Sequence, residues 1–196
     1  MATRVPPMHM LHSARLQLEP QLQAHADEMF DVLSDPAIHR FENQPPVSLA
    51  WLQQRFARLE NRLSGDGSEW WLNWVLRLRP LRADRSDPPV AHGALIGYAQ
   101  ASLHIGADGR PQAWVAYVLA SAHWQQGLAT EAVAAMLDEL AGPYGVRRAL
   151  AVFKRDNQRS ARLLRRLGFA APAAADLPPG LALDADEDLL VRGLPV

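Results

Sequence analysis

The order of apolar and polar positions divides the chain into short segments of two kinds. Residues 14–18 (ARLQL) alternate leucine with polar side chains, the period-two pattern of a half-buried strand. In residues 21–33, Leu22, Met29, Val32 and Leu33 fall at helical spacing. Asp35-Pro36 ends that helix, because a residue before proline is pushed out of helical dihedral angles. Ser48 suits the N-cap of a second helix, since its hydroxyl can accept from free amides of the first turn. Leu52, Phe56, Leu59 and Leu63 then repeat at spacings of four, three and four until Gly65 and Gly67 stop the run. These two helices are expected as a hairpin beside the first strand.

Residues 69–78 (EWWLNWVLRL) are aromatic and β-branched, as strands prefer. A charged, proline-containing connection over 80–89 is too long for a tight turn. Residues 94–104 and 112–119 read as two more strands, joined by an Asp108-Gly109 turn. The three form an expected antiparallel meander. Leu128, Ala132, Val133, Met136, Leu137 and Leu140 then mark one face of a helix closed by Gly142-Pro143. Residues 148–153 read as a strand and 157–167 as a helix, with Gly168 where a left-handed C-terminal cap belongs. An Ala/Pro-rich loop over 170–180 leads to a last strand at 189–191.

Composition bounds the class. At 196 residues, with 48% apolar and 21% charged, the chain can bury a real core without staples. One domain over 13–196 is expected after a flexible N-terminus at 1–12, with two small domains as the fallback. The absence of cysteine excludes disulfide scaffolds, thiolate metal sites and cysteine nucleophiles. A net charge of −1 gives no global pull toward nucleic acid or an anionic membrane, so neither is expected as a partner. No segment reads as a membrane span or a signal peptide, which makes a cytoplasmic protein the expectation. Charge is nevertheless uneven: residues 147–166 hold seven Arg and one Lys against the single acid Asp156.

Chemistry concentrates after the third meander strand, where the chain turns into a helix through Gly127 and the small Ala129. The first amides of a helix have no internal partner, and the helix dipole makes that end positive. Glycine lets backbone approach a ligand closely, and Thr130 adds a hydroxyl, so the turn is a candidate diphosphate cradle. A glycine serving only a tight strand–helix turn is the structural alternative.

The segment Trp124-Gln125-Gln126-Gly127-Leu128-Ala129-Thr130-Glu131-Ala132 resembles the Trp-x-x-Gly-x-Ala-Thr-Glu-Ala pattern of the GNAT (GCN5-related) N-acetyltransferases. Within them it is most similar to the branch of the ribosomal-protein alanine N-acetyltransferases. Asn157-Gln158-Arg159-Ser160 and Leu167-Gly168-Phe169 resemble the second family signature, and residues 13–18 its opening strand. The resemblance spans roughly residues 13–192 and implies an α/β (α+β) fold. Its sheet would be mixed and mostly antiparallel, with a splayed parallel strand pair and flanking helices.

It further implies an acetyl-coenzyme A site between residues 112–119 and 148–153. The diphosphate would rest on the amides of Gln125, Gln126, Gly127, Leu128, Ala129 and Thr130, with Trp124 at the start of that turn. Pantetheine would pair with main-chain groups of Tyr117, Val118 and Leu119, and the oxyanion donor would be the backbone of Val118 or Leu119. Asn157 would reach the pantetheine arm; serving only as a helix N-cap is its alternative. Ser160 would lie near the sulfur, able to protonate the thiolate, or be a small surface residue. Arg159, Arg162, Arg165 and Arg166 form a basic face, of which one or two could meet the 3′-phosphate.

The family often places a Glu three residues before the Tyr; here that position is Trp114, which cannot act as a base. Glu69, His104 and Glu42 are the substitute candidates, and His104 has a side chain suited to proton transfer near neutral pH. Tyr117 is expected to pack beside the cofactor rather than move protons. Trp70 and Trp74 should share one strand face and Trp71 the other, and an aromatic acceptor pocket is one expectation.

The function expected is acetyl-CoA-dependent transfer to a primary amine, of a protein N-terminus or a small molecule. A transferase of longer acyl-CoA and a non-catalytic CoA-binding module stand as alternatives. No metal is expected, and a homodimer through the C-terminal sheet edge stays open.

Overall fold

The computed structural model describes residues 7–41, 44–79, 93–106, 108–173, 177–178 and 180–195. Seven strands form one sheet in chain order: β1 (Leu11–His12), β2 (Leu16–Pro20), β3 (Trp70–Leu78), β4 (Leu95–Ile105), β5 (Pro111–Leu119), β6 (Arg148–Lys154) and β7 (Glu187–Gly193). Neighbours run antiparallel except β5 and β6, which are parallel. The mixed, mostly antiparallel sheet implied by the family resemblance is the one that forms, and the meander read from the alternation is part of it.

Helices cover both faces. Along β3, Leu72, Trp74 and Leu76 point into a core built with α3 (Leu128–Ala141) and α4 (Gln158–Arg166). Val75 faces the other way, into a smaller core under α1 (Ala26–Leu33) and α2 (Leu49–Glu60). The period-two strand makes this division unavoidable: one register slip would exchange the two cores. Ser48 caps α2 as its position predicts, its hydroxyl accepting from Trp51 N at 3.1 Å. The expected face of α3 is the buried one, from Leu128 through Leu140.

Three differences from the sequence reading matter. Leu11 and His12, expected within the loose terminus, pair with Leu18 and Gln17 as the sheet edge, because Leu11 has a core to enter. α1 ends before Asp35-Pro36 as expected, but Pro36–His39 then forms a 3₁₀ turn that the sequence reading lacked, capped by Asp35 accepting from Ala37 N. The tryptophans of β3 alternate as expected, but Trp74 belongs to the main core with Trp70 packed against it. Trp74 is fully buried, with its indole N–H donated to the His9 carbonyl at 3.0 Å. Among the described residues no helix is long and apolar enough to cross a membrane.

Candidate functional site

The site begins where two parallel strands separate. β5 and β6 pair only at Gln112–Arg148, Ala113–Ala149 and Trp114–Leu150. Beyond Trp114, β5 stays in the β4 ladder as far as Leu119, while β6 stays with β7 as far as Lys154. Each strand keeps its antiparallel partner, so a wedge opens between them. Ala120 N donates to the Ile96 carbonyl, which turns the main chain of Val118 and Ala116 toward β4 by alternation. Gly97 accommodates this, because a Cβ there would collide with the Val118 carbonyl oxygen. The amides of Tyr117 and Leu119 therefore face the wedge, whereas that of Val118 does not. The Leu119 carbonyl accepts from the Trp124 indole N–H at 2.9 Å, which ties the following loop to the strand end.

That loop delivers α3 to the mouth of the wedge. Gly127, at φ +78°, is the N-cap of α3 and gives no side-chain cap, so the first amides of the helix stay unclaimed by a cap. The left-handed conformation suits glycine, and an added Cβ would find only Arg15 Nη2, at 3.5 Å. Gln125 is also left-handed, at φ +61°. Two positive-φ residues within three positions give this loop the left-handed turns from which anion-binding nests are built.

Arg15, just before β2, holds this loop. Its amide and its Nε donate to the Glu131 carboxylate at 2.6 and 2.9 Å, and its Nη1 donates to the Gln126 carbonyl at 2.9 Å. Burial alone would push the Glu131 carboxyl up. Hydrogen bonding by Ser13 and by Arg15, with the guanidinium charge, outweighs burial and holds it below its ordinary value of 4.5.

α4 closes the other wall. Asn157 caps it, Oδ1 accepting from Ser160 N at 3.2 Å, so the capping alternative is realised while Asn157 still lines the cavity. Ser160 Oγ lies 2.9 Å from Tyr117 Oη across the wedge. Burial drives the Tyr117 phenol up to about 12, against a smaller opposing effect of the Ser160 hydrogen bond, so the phenol keeps its proton at neutral pH. The Arg159 guanidinium stacks on the Trp124 ring at 4.1 Å, and Arg162 and Arg166 follow along the same wall.

Together these elements bound a cavity of about 880 Å³. Tyr117, Val118, Leu119, Trp124, Gln125, Gly127, Leu128, Ala129, Thr130, Asn157 and Ser160 all line it. Gln126 does not: its side-chain amide donates to the Ala122 carbonyl and its own carbonyl is taken by Arg15. Two of the three substitute bases, His104 and Glu69, lie elsewhere. His104 pairs with Gln112 and Glu69 precedes Trp70, which pairs with Leu103, whereas Tyr117 pairs with Ala99. Strand extension thus separates Ala99 from His104 by about 16 Å, at the end of the sheet away from the cradle. Glu69 accepts from the Trp71 indole N–H at 3.1 Å, and the His104 ring stacks near Trp114. Glu42, Ala107 of the expected turn and the connection over 80–89 lie outside the described residues.

Sequence reasoning missed the Arg15 clamp and the 3₁₀ turn, which lends Ile38 to the cavity. A Glu in the first turn of α3 was the available signal for the clamp, but its partner lies 116 positions away.

A sequence model described as the acetyltransferase (GNAT) domain matches residues 15–170. A solved GnaT-family acetyltransferase of Bordetella pertussis, itself described as of unproven activity, is 25% identical with a TM-score of 0.64, over 94% of this chain and 99% of that one. The ribosomal-protein alpha-N-acetyltransferase RimL, solved with coenzyme A, is 17% identical with a TM-score of 0.70, over 95% and 98%. RimJ of Mycobacterium smegmatis, solved with a CoA disulfide, is 18% identical with a TM-score of 0.68, over 91% and 81%. No curated protein matches the sequence significantly.

Proposed function

Since the chain belongs to the GNAT acetyltransferase family, we propose that it carries acetyl from acetyl-coenzyme A to a primary amine, using the wedge between β5 and β6. The observation that carries this reading is the coincidence of three features at one cavity. The N-terminus of α3 has no side-chain cap, the β5 edge beside it is unpaired, and a wall of arginines faces both. Each answers one part of the carrier: diphosphate, pantetheine amides and 3′-phosphate. The likeness to RimL and RimJ, solved with coenzyme A or its disulfide, supports the same placement.

Acetyl-CoA supplies a thioester, and transfer joins the amine nitrogen to the acetyl carbon, releases the thiol and moves one proton from nitrogen to sulfur. The residues here divide that work. The amides of Gly127, Leu128, Ala129 and Thr130 hold the diphosphate, with Gln125 in the turn before them. Tyr117 and Leu119 present main-chain groups along the wedge, and the Leu119 N–H is the donor for the developing oxyanion. Val118, whose main chain turns to β4, contributes only its side chain to the cavity wall. Ser160, hydrogen-bonded to the protonated Tyr117, gives a proton to the departing sulfur and regains the one that the amine nitrogen loses. Asn157 orients Ser160 through the cap.

The described strands, β1 at Leu11–His12 included, form one continuous sheet, which supports reading the chain from residue 11 onward as a single acetyl-CoA-binding domain. The test is incubation of the purified chain with acetyl-CoA and a panel of primary amines, following thiol release and acetylated product together. Amine-dependent release of thiol with matching product supports the reading, and tight CoA binding without turnover contradicts it.

A further inference from the structure

Two contacts cross the wedge, from the β5 side to the helix that follows β6. One is the Tyr117–Ser160 hydrogen bond. The other is the stack of the Arg159 guanidinium on the Trp124 ring, 4.1 Å from its centroid. Trp124 comes immediately before the cradle turn, and its ring is pinned by the indole N–H donated to the Leu119 carbonyl at 2.9 Å. Arg159 lies in the first turn of α4, between the capping Asn157 and Ser160.

The stack leaves the guanidinium free to bind. Stacking uses the face of its plane, whereas the N–H donors point outward from the edges. Among the described residues no carboxylate pairs with Arg159. None lines the cavity either, whose described wall carries Arg40, Arg159, Arg162 and Arg166. Arg159 is exposed, where a cation–π contact adds little stability. What the contact does is hold a long side chain in one place, which removes an entropic cost from any later bond.

Charge arithmetic says which bond that is. The start of α3 offers about half a positive charge from its dipole, against a doubly charged diphosphate. Residues 125–130 contain no Lys or Arg. Arg15 is committed to Glu131 and to the Gln126 carbonyl. A cation for this turn has to come from another element, and Trp124 brings it Arg159.

We infer that Arg159, carried on Trp124, is a side-chain ligand of the diphosphate, which is clasped between the cradle amides and α4. Its role differs from that of Arg162 and Arg166, which lie about 4.5 and 10.5 Å farther along the helix axis and serve the 3′-phosphate. The clasp makes affinity depend on the diphosphate, so a pantetheine thioester without the nucleotide is a poor donor. This inference rests on the reading of the wedge as the carrier site.

Calorimetry of the full chain with coenzyme A and 3′-dephospho-coenzyme A tests it, with pantetheine read by displacement of the latter. Arg159→Ala should weaken both nucleotides by the same factor, about tenfold or more, and leave pantetheine and the Tm of the free chain unchanged. Arg159→Lys should recover part of the loss, since the charge remains without the fork. In a Trp124→Leu background, Arg159→Ala should cost less than in the parent, because the two act through one contact. A loss confined to coenzyme A would make Arg159 a reader of the 3′-phosphate, and an equal loss for pantetheine would make it a shaper of the wedge. Either result, unchanged affinities, or full additivity with Trp124→Leu overturns this inference and leaves the carrier site standing. A parent chain that binds no coenzyme A overturns the proposed function as well.

Discussion

Arg15 joins the start of β2 to the first turn of α3 by donating to both oxygens of Glu131, and the same guanidinium takes the Gln126 carbonyl. The loop that presents Gly127 is thereby held from outside the cavity, leaving its own amides free for a ligand. This is the arrangement a rigid anion site needs: the supporting bonds come from one side and the ligand from the other.

Arg15→Ala should loosen that loop. Both partners are partly exposed, so the stability lost is about 1 kcal/mol, a fall in Tm of about 2–4 °C for a chain of this size. Coenzyme A should bind several-fold more weakly by calorimetry. An unchanged Tm and affinity would remove the clamp from the account.

Glu131→Gln gives the clamp a pH signature. The folded carboxyl titrates below its ordinary value of 4.5, so its contribution is fully present above that pH and is lost as pH falls through the folded value. The Tm difference between the parent chain and Glu131→Gln should therefore be constant from neutrality to about pH 5 and shrink below that. A difference that grows on acidification would contradict the assigned sign.

Gly127 offers the sharpest substitution. Alanine at φ +78° meets no close neighbour, so it should cost about 1–2 kcal/mol from backbone strain and weaken coenzyme A binding roughly tenfold. Gly127→Glu adds bulk and a charge of the ligand's own sign. Its affinity should fall at least a hundredfold while circular dichroism shows the fold retained.

Ser160→Ala should lower kcat about a hundredfold, the lower end for general acid catalysis, with little change in coenzyme A affinity. Tyr117→Phe should lower it less and should flatten part of the stability loss at high pH. A phenol raised to about 12 in the fold leaves stability intact below pH 10 and erodes it as pH rises toward 12. Tyr144 is raised in the same way, so the flattening should be partial. A rate unaffected by Ser160→Ala would remove the acid role.

Arg162→Ala and Arg166→Ala should each weaken coenzyme A three- to tenfold and leave 3′-dephospho-coenzyme A almost unaffected. Equal losses for the two ligands would place the arginine wall elsewhere along the carrier.

The parts of this molecule legible in its sequence are those written in local periodicity and backbone chemistry. The β3–β4–β5 meander follows from alternation, and Gly127 followed by the apolar face of α3 announces a strand-to-helix turn. Features that depend on distant pairing were not legible. Nothing local couples Arg15 to Glu131, and no pattern tells that His104 and Glu69 fall at the far end of the strands, because distance along a sheet is set by register. His39 was hidden for another reason. Pro36 reads as a helix stop, whereas Asp35 uses it to start a 3₁₀ turn, capping Ala37 and binding Ser121 N at 2.8 Å. That second bond draws the turn against the end of β5 and so places Ile38 in the wall of the wedge cavity and His39 beside a smaller one across the sheet.

Diffraction from crystals grown with coenzyme A tests the central claim most directly. The account predicts diphosphate oxygens within hydrogen-bonding distance of the amides at the start of α3 and the pantetheine arm along the free edge of β5. Density for the nucleotide on another surface, with those amides bonded to protein or solvent alone, would contradict it.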